Sequence, residues 1–156
     1  MSTTQKISCV LWFLGAAGVV GALVSSDWMT GNVGLRGISG YGWSEIEARL
    51  GAVESEQFET AALFGRIVFW GGFLVVASML PAGWYFRYGK NVGRLWVGIV
   101  GAAIGLCGIG FSFSLSEAKL HYPVAIFFVG IVLVVAGSLA GFAEPKPDPR
   151  SKPLEF

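Results

Sequence analysis

Side chains that could carry chemistry are few in this sequence and stand far apart. His121 is the single histidine, so the chain offers no pair of imidazoles to grip a haem or a metal ion. Cys9 and Cys107 both fall in apolar stretches, the first near one end and the second near the middle, and that mismatch in depth does not suit a disulfide. They read as buried thiols. The sequence holds no Ser, His and acid set, no paired carboxylates within an apolar run and no phosphate-cradling glycine loop. The expectation is a non-enzymatic chain with no catalytic residue, no metal and no cofactor, and no small-molecule substrate is evident.

One charge does interrupt an apolar run. Arg66 stands five residues inside a segment that starts at Ala61, and an ion at such depth is the usual sign of a transport path. A proton or ion route needs a relay, however, and no second charge continues it. The structural role is therefore favoured, with Arg66 reaching the headgroups or meeting an acidic residue of the adjoining loop.

What positions these residues is a strongly apolar chain. Of its 156 residues, 54% are hydrophobic and only 13% are charged, with 23 glycines and a mean hydropathy of +0.65, a composition that belongs in a bilayer. The net charge of +1 provides no basic field for phosphates and argues against a nucleic-acid partner. A spanning helix needs about 20 mainly apolar residues. Four stretches qualify, at about 7–25, 61–80, 95–115 and 122–143, the second stopped by Pro81 and the third starting after Arg94. Lys6 ahead of the first stretch and Val24, Ser25 and Ser26 behind it resemble a signal peptide, but the apolar run is longer than a usual signal core, so a retained helix is expected.

Cations set the orientation. Lys6, Arg87, Lys90, Arg94, Lys146, Arg150 and Lys152 fall on one side, against Arg36, Arg49 and Lys119 on the other, which puts both termini in the cytoplasm of a multi-pass cell-membrane protein. The fold class expected is an all-α four-helix transmembrane bundle over 1–143, capped outside by its first loop, with a disordered Pro-rich cytoplasmic tail over 144–156.

The connections differ in character. The outer loop, 26–60, is glycine-rich as far as Gly42 and suits a twisted hairpin. Beyond it Trp43, Ile46, Leu50 and Val53 recur at helical steps, with Ser44 and Glu47 resembling a capping box, and this segment reads as a short interfacial helix. Trp84, Tyr85, Phe86 and Tyr88 lie among the inner cations as an aromatic anchor at headgroup depth.

Glycine spacing is the most informative pattern within the spans. Gly98, Gly101, Gly105 and Gly108 fall along one face of the third, and Gly137 and Gly141 offer a smooth face on the fourth. Such faces take another helix at close range, either within the chain's own bundle or on another subunit.

The four spans with both ends inside, the long first outer loop and the small-residue third helix together resemble the claudin-like tetraspan superfamily. Trp28, Gly34 and Leu35 resemble its Trp and Gly-Leu-Trp signature, and Arg66 its arginine at the start of the second helix. Arg36 stands where the signature's second Trp would be, and the loop lacks that family's two cysteines. The resemblance implies a loop held by turns and by packing of Trp28 and Trp43, and a scaffold that associates laterally or across a cell contact.

Two functions of different class follow. The first is a non-catalytic membrane scaffold or assembly protein whose partners are the lipid bilayer and itself or other membrane subunits. The second is an accessory subunit of a larger respiratory or photosynthetic complex; a small transporter or channel component ranks third. The outer loop carries six carboxylates against two cations, a net of −4 that opposes head-to-head contact between copies and leaves side-by-side assembly.

Overall fold

The computed structural model describes residues 3–25, 28, 55–87, 92–114 and 121–140. It is all-helical, with α1 at Thr3–Val24, α2 at Ser55–Arg87, α3 at Val92–Ser114 and α4 at Tyr122–Ala140. Each is long and apolar enough to cross a membrane, α2 through its segment Thr60–Trp84. Together they form a bundle in which α1 lies mainly on α4, α2 on α3 and α3 on α4, while α1 and α2 touch lightly. The hairpin and interfacial helix expected in the outer loop, and the tail, lie outside the described residues.

Helix limits depart from the sequence reading in two places that matter. Pro81 does not stop α2; the helix runs through it to Arg87. Proline removes one backbone donor and leaves one carbonyl a turn earlier without its bond, a loss that a long apolar helix packed against a neighbour tolerates. The other departure is at α3, which begins at Val92 and so draws Arg94 into its first turn instead of leaving it in the connection.

The core is built from medium and large apolar side chains, among them Val19, Leu23, Val68, Val97, Phe111 and Phe127. Two helices approach more closely than side chains allow. A Cβ added to Gly15 would lie 2.8 Å from the Gly130 carbonyl oxygen, and one added to Gly130 would lie 2.8 Å from the Val19 nitrogen. The α1 and α4 backbones are therefore in direct contact, which only glycine permits. By contrast, a Cβ on Gly21 would meet nothing within 4 Å.

This contrast sets opposite outcomes for the same substitution. Gly130→Ala, pressing against backbone that cannot rotate away, should destabilise the folded chain by about 1–3 kcal/mol. Gly21→Ala should leave stability unchanged or raise it by up to about 1 kcal/mol through helix propensity. Thermal unfolding in detergent micelles, followed by loss of the monodisperse peak, measures both.

Candidate functional site

Polar chemistry in the bundle collects at the end where α1 and α3 begin and α4 finishes. Gly93 sets it up, because its missing Cβ would lie 3.0 Å from the Ala82 Cα, so the first turn of α3 fits tightly against α2. The next residue, Arg94, then points inward and is only 2% exposed. Its Nη2 donates to the Ser8 Oγ at 3.1 Å and to the Gly137 carbonyl at 3.3 Å. The Ser8 hydroxyl in turn donates to that same carbonyl. One side chain of α3 thus ties α1 to α4.

The location suits a cation. Gly137 lies in the last turn of α4, where carbonyls lack intrahelical donors and the helix end carries partial negative charge. Two further bonds lie beside it: the Trp12 indole N–H donates to the Ser138 Oγ at 3.1 Å, and that hydroxyl donates to the Val134 carbonyl at 2.9 Å. Among the described residues, the buried polar or charged side chains are Ser8, Arg94 and Ser138, all in this cluster. The sequence alone places Arg94 in the inner connection, as a cation ahead of the third span. The signal that would have found it is the glycine stripe itself, which one turn earlier, four residues before Gly98, lands on Arg94.

The opposite end is closed by aromatic packing. Trp28 is 1% exposed, its indole N–H donates to the Ala22 carbonyl, and its own carbonyl accepts the His121 backbone N–H at 3.0 Å. Its ring meets Phe111 edge-on at 6.0 Å and Phe127 at 5.7 Å. Trp28 therefore joins the chain leaving α1 to α3 and to the start of α4.

The glycine stripe of α3 faces α4 of the same chain. Cβ positions built on Gly98, Gly101, Gly105 and Gly108 would fall 3.1 Å from Ser138 Cβ, 3.4 Å from Val134, 3.0 Å from Ile131 and 2.9 Å from Phe127. Gly137 faces Trp12 and Leu11 of α1. Gly34, Leu35, Trp43 and Gly141 lie outside the described residues. Arg66 is exposed on α2. Of the two thiols expected to be buried, Cys9 is exposed and Cys107 half-buried, and both are free. The adjacent Ser8 occupies the inward position, which turns Cys9 out.

Among the described residues no group of three His, Cys, Asp or Glu side chains could hold a metal. The Arg94 cluster is buried among the helices and fastens them to one another. Searches for a matching family, curated protein or solved structure find none.

The cluster is open to a double-mutant cycle. Arg94→Met should cost about 1.5–3 kcal/mol, the range for hydrogen bonds to a charged group, and Ser8→Ala about 1 kcal/mol. Combined, the two should cost less than their sum, because each removes part of the same contact. Strict additivity in micelle unfolding experiments would show that Arg94 and Ser8 do not interact.

Proposed function

We propose that the chain is a non-catalytic scaffold or assembly protein, spanning the cell membrane four times with both termini cytoplasmic and associating side by side with copies of itself. The observation that carries this reading is the filled interior. Among the described residues, the buried polar or charged side chains Ser8, Arg94 and Ser138 all sit at one end, Trp28 buries its indole at the other, and the core between them is apolar side chain packed with glycine. A transport path would need polar groups continued across the bundle. Tight helix contacts of this kind suit a permanent body rather than a gate.

The mode of association is narrower than glycine spacing alone suggests. Because the α3 stripe is filled by α4 of the same chain, lateral contact falls to the outward faces, where Phe13, Leu14, Leu106 and Phe113 are exposed. The excess of cations around the inner connection and the tail supports cytoplasmic termini. The resemblance to the claudin-like superfamily supports the scaffold role, and the net charge of −4 on the outer loop supports side-by-side assembly within one membrane.

Gentle detergent extraction followed by native mass measurement tests the proposal. A homo-oligomer is expected. Recovery at fixed stoichiometry with haem- or metal-bearing chains would replace the scaffold with the accessory-subunit reading. In the same cells, in a cysteine-free background, an impermeant thiol reagent should label cysteines placed at Ser55 and Ser116 but not at Ser151; labelling at Ser151 would reverse the orientation.

A further inference from the structure

We propose that the outward face of α2 binds one phospholipid, with the Arg66 guanidinium on its phosphodiester and an acyl chain lying along Trp70 and Leu74. The proposal rests on the membrane-spanning reading above and adds to it a specific ligand.

Arg66 lies six residues after Thr60, where the membrane-length segment of α2 begins, or about 9 Å along the axis at the helical rise. It is exposed, and among the described residues it makes no hydrogen bond or ion pair. A guanidinium has five donors and keeps its charge. At that depth in hydrocarbon it needs an acceptor. Side chains on a helix lean toward its amino end, so the long stem of Arg66 carries the charge back toward Thr60 and the headgroups. Phosphate oxygens are found at that level, and the planar guanidinium matches them in a two-pronged contact.

The surface below fits the rest of a lipid. Trp70 is 67% exposed and Leu74 60% exposed, one and two turns farther along the same stripe of α2 as Arg66. Tryptophan ordinarily gathers at the membrane interface, yet Trp70 stands ten residues inside the segment. Phe69 meets the Trp70 ring edge-on at 5.2 Å, so the ring is braced against its own helix. Together these side chains make a ridge beneath the cation against which an acyl chain can lie. A second copy docked on this face would set Arg66 against Arg66 at equal depth, a like-charge contact that disfavours it.

The test uses the purified full chain in micelles, titrated with phosphatidylglycerol and read by native mass measurement. One saturable adduct is expected on the wild type. Retention should weaken roughly tenfold or more in Arg66→Gln, and less in Arg66→Lys, which keeps the charge but loses the fork. A galactolipid with the same acyl chains, lacking phosphate, should bind no better to the wild type than to Arg66→Gln, and excess inorganic phosphate should not displace the phospholipid.

Equal phosphatidylglycerol retention by wild type and Arg66→Gln overturns the proposal. Displacement by inorganic phosphate also overturns it, in favour of a free-anion site. A stoichiometric partner chain lost with Arg66→Gln, while lipid retention stays constant, overturns it in favour of an acidic partner helix. Should Arg66→Gln not fold, the wild type decides: equal adducts with phosphatidylglycerol and the galactolipid refute a phosphate contact. Failure of the membrane reading itself would look different, since the chain would then extract without detergent and retain neither lipid.

Discussion

Helices this apolar have little to gain from hiding side chains from lipid, because hydrocarbon tails are as apolar as leucine. What joins them is close approach, and the rest of the bundle depends on the contact between the α1 and α4 backbones at Gly15 and Gly130. Direct backbone contact multiplies short-range dispersion along the pair. It also aligns Ser8 with Gly137 and Trp12 with Ser138, so the hydrogen bonds of the Arg94 end form only if that contact sets the register.

With α1 and α4 joined, α3 has one place to go. Its glycines receive the α4 side chains from Ser138 to Phe127, and the two ends of that contact are secured differently. At one end a buried guanidinium bridges three helices. Burying a charge costs several kcal/mol unless it is hydrogen-bonded; here a hydroxyl, a carbonyl and the negative end of α4 all face it. At the other end Trp28 fills the gap between Phe111 and Phe127 and ties its carbonyl to His121. Helix α2 is held mainly by α3, where Gly71 and Gly110 admit Ile104 and Phe64. This leaves α2 with an outward stripe that includes Arg66.

Four helices were legible in the sequence because hydropathy over about 20 residues is a strong signal. Their ends were less so. Pro81 reads as a stop when only local backbone bonding is considered, but α2 continues because a single missing donor is a small loss within a packed helix. The stripe from Gly98 to Gly108 followed from spacing, whereas the side chains that fill it belong to α4 and no local pattern names them. Gly130 carries no local signal for a related reason: its partners, Gly15 and Val19, lie on α1, more than a hundred residues away. Arg94 reads as interfacial in the sequence because cations near a span normally are. Its burial is decided by Ser8 and by the end of α4, neither of which is near it in sequence.

The small-residue face of α3 is used up within one chain, filled by the side chains of α4. Cysteines placed at Gly98 and Ser138 in a cysteine-free background test it most directly, since the two Cβ positions lie 3.1 Å apart in the bundle, close enough for a disulfide to form with small adjustment. After mild oxidation in the membrane and denaturing electrophoresis, the cross-linked species should run at the mass of one chain. A cross-linked species at twice that mass would contradict it, for the α3 face would then belong to the contact between copies.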